Sequence, residues 1–77
     1  MPLLTPAFEA SLRERFQLAS TRLGTRSLPV DVAYMVMFSD AERRAYTSDL
    51  FEEDLRKFGA VRELSYEDCV EFVRQMQ

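Results

Sequence analysis

Apolar residues recur along this chain at three- and four-residue spacings over three stretches, each bracketed by helix start or stop signals. Thr5-Pro6 reads as an N-cap followed by proline at the first helical position. Phe8, Leu12, Phe16, Ala19 and Leu23 then form one stripe that Gly24 ends. Ser39-Asp40-Ala41-Glu42 has the spacing of a capping box, so a helix starts at Asp40 and extends toward Phe58. Ala41, Ala45, Ser48, Phe51, Leu55 and Phe58 share a face across that span. Thr47-Ser48-Asp49 is poor helix interior, because these short polar side chains compete for the backbone; it predicts a kink, or a restart with Ser48 as N-cap. Ser65-Tyr66-Glu67-Asp68 resembles a second capping box, with Asp in place of Glu and a first turn whose charge suits the helix dipole. Tyr66, Cys69, Val70, Val73 and Met76 follow on one face, and Ala60 to Leu64 is a short connector.

The segment Val30 to Phe38 fits two periods. Read with period two, Val30, Val32, Tyr34, Val36 and Phe38 line one side of a strand, all β-branched or aromatic. Read as a helix, it starts at Pro29 and is apolar on nearly every side. The strand would need a hairpin partner at Arg43 to Thr47, yet the intervening Ser39-x-x-Glu42 is a helix start without the Gly or Asn-Gly of a tight turn. The expected fold is therefore all-α, a compact bundle of three to four helices. A small α+β fold with a β-hairpin at about 30–47 is the alternative.

Composition narrows the chemistry. Seventy-seven residues build one hydrophobic core, so residues 1–77 are read as a single domain. Hydrophobic residues at 47% and charged residues at 30% match a folded chain and not a disordered tail. With no histidine and Cys69 as the one thiol, structural zinc sites, His-based triads and disulfides within the chain are excluded. No cofactor motif is present, whether a glycine-rich phosphate loop, an EF-hand loop or a nucleophile elbow. Residues 1–8 lack a basic segment followed by a long apolar one, and the longest apolar run, Val32 to Phe38, is far below the roughly 20 residues that span a bilayer. The expectation is a cytoplasmic protein without membrane association, and one cysteine suits a reducing compartment.

Among side chains that could do chemistry, Glu52, Glu53 and Asp54 are contiguous and point in different directions around a helix, while Asp49/Glu53 and Glu67/Glu71 share faces. Their neighbours are charged, so solvated acidic surfaces are expected in preference to a metal or acid–base site. Cys69 falls on the apolar stripe beside Asp68 with no histidine to activate it, which reads as a buried, inert thiol. The chain is accordingly read as non-enzymatic. The net charge of −3 gives no general attraction to nucleic acid, and a helix-turn-helix over 50–77 would place Glu67, Asp68 and Glu71 against phosphates. Arg15 and Arg22 lie seven residues apart beside the first stripe, with an internal acidic partner expected for them.

Surplus apolar surface is the feature that points to function. Tyr46 and Leu50 are i, i+4 neighbours on the side away from Phe51, Leu55 and Phe58, and Phe72 sits off the centre of the last stripe. Met35 and Met37 read as core filler. The expected mode of action is binding to another protein, with Tyr46, Leu50 and Phe72 as anchors and Glu52, Glu53, Glu67 and Glu71 steering toward a basic surface. An inhibitor, adaptor or accessory subunit of a larger, basic or nucleic-acid-handling complex fits this profile, including a phage or bacterial regulator. Two alternatives remain: a DNA-associated regulator using Arg15, Arg22 and Arg26, and an obligate homodimer whose site forms between copies.

Overall fold

The capping residues build the helix boundaries of the chain, whose computed structural model describes residues 4–59 and 62–76. Helix α1 (Pro6–Leu23) starts where the Thr5 hydroxyl accepts the Phe8 N–H at 3.1 Å. It ends at Gly24, whose φ of 67° is left-handed and costs glycine little. There the Thr25 N–H donates to the Ser20 carbonyl at 3.0 Å and the Gly24 N–H to that of Thr21 at 3.3 Å, the paired bonds of a Schellman turn. Strand β1 (Leu28–Pro29) leads into α2 (Val30–Met37). Helix α3 (Asp40–Ala45) opens with both bonds of a capping box, Ser39 N–H to Glu42 at 2.8 Å and Glu42 N–H to the Ser39 hydroxyl at 3.2 Å. Helix α4 (Ser48–Phe58) follows, then β2 (Glu63–Leu64) and α5 (Tyr66–Met76). The Asp-bearing box also closes: Ser65 N–H to Asp68 at 3.0 Å and Asp68 N–H to the Ser65 hydroxyl at 3.1 Å.

The fold is helical, with five helices among the described residues and one two-stranded ribbon. The span 40–58 accounts for part of the higher helix count, because it divides at Tyr46. The restart expected at Ser48 lies there, with Thr47 rather than Ser48 as the N-cap, accepting the Leu50 N–H at 3.4 Å. Carbonyls orphaned by the break are met from another helix: the Tyr34 hydroxyl donates to Tyr46 O at 2.7 Å, with Arg43 O at 3.3 Å.

The alternative hairpin at 30–47 is overturned. Residues 30–37 are helical and bury Ala33 and Met37, one turn apart, while Met35 is 58% exposed. A helix satisfies its own backbone, and among the described residues no return strand is present at Arg43 to Thr47 to do so otherwise. The strand pairing lies at Leu28 opposite Leu64 and Pro29 opposite Glu63, antiparallel, extended by the Val30 N–H to the Arg62 carbonyl at 3.2 Å. Of the connector expected at Ala60 to Leu64, Ala60 and Val61 lie outside the described residues, as do the first three positions of the 1–8 segment.

Helix α1 packs on α2 and α5, α2 packs on α4, and the ribbon lies against α2 and α5. Leu12, Phe16, Leu28, Met37, Leu55, Leu64, Cys69 and Val73 are buried between them. Phe51 sits at the middle of a ring cluster, with Tyr34, Phe38, Tyr46 and Phe72 at centroid distances of 5.6, 5.5, 6.3 and 5.2 Å. Tyr66 joins α5 to α1 through an edge contact with Phe16 at 6.0 Å and a hydroxyl bond to Glu9 O at 3.3 Å.

Phe51→Ala should destabilise the chain by about 3–5 kcal/mol, a large part of the roughly 4–12 kcal/mol expected of a domain this size. Urea unfolding checks this, and a loss below about 1 kcal/mol would show that Phe51 is not the centre of the core.

Candidate functional site

The anchors expected from the sequence separate once placed on the fold. Phe72 is 1% exposed, with its ring edge-on to Phe51 at 5.2 Å and to Phe58 at 5.8 Å, so it is core and not a docking side chain. The stripe on α5 is wider than its centre suggested because the helix is covered on two sides, by α1 through Tyr66 and by α4 through Phe72. Tyr46 is also taken up internally: its half-buried ring meets Phe38 at 5.2 Å and its hydroxyl donates to Asp54 at 2.6 Å. Burial and the adjacent Asp54 carboxylate raise the Tyr46 hydroxyl well above the usual tyrosine range. Leu50 alone of the three anchors is exposed, at 44%.

The steering carboxylates do not form one assembly either. Glu52 and Glu53 are exposed on α4. Glu67 borders a cleft of about 490 Å³ between α1 and α5 that also contains Arg13 and Arg26, and Glu71 is ion-paired with Arg74. Among the described residues, no group of three acidic or cysteine side chains is arranged to hold a metal ion, and no helix is long and apolar enough to cross a membrane.

Cys69 is fully buried, and its thiol is pushed up to about 12 by burial and then by the neighbouring Asp68 charge.

A different surface carries the two exposed leucines of α1, while Leu50 and Met76 are exposed singly on α4 and α5. Leu18 and Leu23 on α1 are 62% and 52% exposed, and with Ala19 and Val32 they line a groove of about 390 Å³ between α1 and α2. Met35, expected as core filler, lies one turn beyond Val32 on the outer side of α2, while Met37 is in the core. The first stripe accounts for the change. Leu12 and Phe16 turn inward, but Leu23, the last residue of α1, passes the end of the core, and Leu18 lies off the stripe altogether.

Arg15 and Arg22 flank this groove. The internal acidic partner expected for them is not there: the ion pairs among the described residues are Arg43–Asp40 and Arg74–Glu71. Arg15 bonds back to the Ser11 carbonyl of its own helix at 3.2 Å. Sequence reasoning weighed Arg15 and Arg22 against DNA and an internal acidic partner, and missed Leu18. The available signal was Leu18 midway between the two arginines, at i+3 and i−4, a ridge of charge, leucine, charge along one side of α1.

No family model matches the chain, and neither the curated proteins nor the solved structures contain a match to it.

Both groups raised by burial, Cys69 and Tyr46, are more stable uncharged in the fold, so their contribution is complete at neutral pH and is lost as pH rises above about 9–10. Alkylation of Cys69 should accordingly run on the order of a hundredfold slower in the native chain than in urea at pH 8, rising steeply on alkaline unfolding. Native alkylation at the denatured rate would contradict the buried placement.

Proposed function

We propose that the chain is a non-enzymatic protein-binding module that uses the α1–α2 groove to dock on a larger assembly as an inhibitor, adaptor or accessory subunit. The observation that carries this is the exposed apolar surface at one groove: Leu18 and Leu23, each more than half exposed, line it with Ala19 and Val32, and the exposed Met35 follows one turn beyond Val32 on α2. Clustering of this kind is what distinguishes a docking surface from the scattered single apolar residues of any protein surface.

The absence of catalysis is supported by how the polar side chains are used. Asp54 holds the Tyr46 hydroxyl, Asp68 caps α5, Glu42 caps α3, and the thiol is buried as a neutral group. A single interior thiol suits the reducing cytoplasm, where we place the module.

Two other readings meet the same groove. Duplex DNA would engage Arg15 and Arg22 but would leave Leu18 and Leu23 uncovered, and a chain of net charge −3 has little general affinity for phosphate. A twofold homodimer formed through the groove would set each arginine pair against its own copy, which like-charge repulsion disfavours. The surface around Leu50, Glu52 and Glu53 offers a second contact to the same assembly, with one exposed apolar anchor against the groove's two.

The test is affinity capture of the tagged chain from nuclease-treated lysate of its source cells, run with wild type, Leu18→Asp and Leu50→Asp. One stoichiometric protein retained by wild type and by Leu50→Asp, at least tenfold depleted with Leu18→Asp, is the expected result. Both substitutions fall at exposed positions, so helical content stays unchanged by circular dichroism. Retention that depends only on nucleic acid would contradict the protein-binding reading.

A further inference from the structure

The charge arrangement of the groove identifies the kind of partner it takes. Arg15 and Arg22 stand seven residues apart on α1, which is two helical turns or about 10.5 Å along the axis. Leu18 lies between them on the same side, and Val32 forms the opposite wall from α2. Neither guanidinium meets a carboxylate among the described residues, although the chain carries thirteen acidic side chains and only ten basic ones. Two unpaired cations at the rim of an apolar trough, in a protein of the opposite overall sign, form a local inversion of charge.

We infer that the groove receives an acidic amphipathic helix from a partner protein. Resting on the protein-binding reading above, this fixes the chemistry of the occupant. Apolar side chains at three- and four-residue spacing enter between Leu18, Leu23 and Val32. Two carboxylates seven residues apart on the incoming helix then match the spacing of Arg15 and Arg22, since both helices share the same rise per residue. Arginine suits the task because its planar fork binds a carboxylate through two parallel hydrogen bonds and its stem covers apolar surface. The apolar lining of Leu18, Ala19, Leu23 and Val32 and the two charges thus recognise different faces of one helix: the floor selects leucine-like anchors and the rim selects acid over base. A basic segment would be repelled at the rim, and a neutral one would leave both cations desolvated without a partner.

The experiment is selection of a displayed library of helix-forming peptides against the folded chain. It is repeated on Leu18→Asp and on the double variant Arg15→Glu/Arg22→Glu, with sedimentation of the chain at several concentrations alongside. The inference expects enriched peptides that are amphipathic and net acidic. They should bind wild type at least tenfold more tightly than either variant and weaken as salt rises. Exchanging their flanking Glu for Lys should restore binding to the double variant. Enrichment of basic or neutral peptides that respond to Leu18→Asp but not to the arginine exchange would overturn the acidic occupant and leave the docking groove standing. Peptides unaffected by Leu18→Asp would overturn the groove itself. Self-association abolished by Leu18→Asp would assign the groove to a second copy of this chain. Enrichment of no peptide by a chain that folds and remains monomeric would overturn the helical occupant, and the capture experiment above decides the protein-binding reading separately.

Discussion

Packing around the Phe51 ring is the constraint on which the rest of this small fold depends. Four aromatic rings arrive at it from three separate parts of the chain: Tyr34 and Phe38 from α2 and its end, Tyr46 from the close of α3, and Phe72 from α5. Three of these contacts are edge-to-face and that of Tyr34 is tilted, and aromatic pairs of this kind each add about 0.5–1.5 kcal/mol beyond the area they bury. A chain of 77 residues has little other interior to draw on. Meeting one ring with four others fixes the directions of α2, α4 and α5 together, and α1 is then held to the assembly by Leu12, Phe16 and the Tyr66 contacts.

The break between α3 and α4 follows from the same constraint. A continuous helix from Asp40 to Phe58 would place Tyr46 and Phe51, five residues apart, about 140° apart around its axis, too far round for both to meet the same ring of Phe38. Interrupting the helix at Tyr46 lets both pack on it, at 5.2 and 5.5 Å. The backbone groups freed by the interruption are then satisfied by Thr47 at the new helix start and by the Tyr34 hydroxyl at the old end. Tyr34 thus serves as ring packing on one side and as a carbonyl partner on the other.

Local signals in the sequence were sufficient for the starts of α1, α3 and α5 and the end of α1, because each is written within four residues: Thr5-Pro6, Ser39 to Glu42, Ser65 to Asp68, Gly24. The pairing of Leu28 with Leu64 was not legible, since two-residue strands have no period and their partners are distant in the chain. The ambiguity at Val30 to Phe38 came from a run whose residues suit either structure; only the capping box after it argued for a helix. Candidate site residues were read less well, for a single physical reason. Tyr46 and Phe72 looked surplus because each lies off its own helix's apolar stripe, but a helix packed on two sides needs two stripes, and which helices are so packed is a tertiary fact. Leu18 and Met35 escaped notice by the converse error, one as an off-stripe leucine and the other as filler within an apolar run.

Because the ring cluster absorbs Tyr46 and Phe72, the large apolar side chains that are more than half exposed, Leu18, Leu23 and Met35, lie on α1 and α2, with Leu50 and Met76 less exposed elsewhere, and the functional account stands on that redistribution. Hydroxyl-radical footprinting of the free chain, with each residue compared to its own rate in denaturant, measures it directly. The account predicts that Phe51 and Phe72 are strongly protected while Leu18, Leu23 and Met35 react at close to their denatured rates. Oxidation of Phe72 at its denatured rate, with Leu18 and Met35 protected, would contradict it.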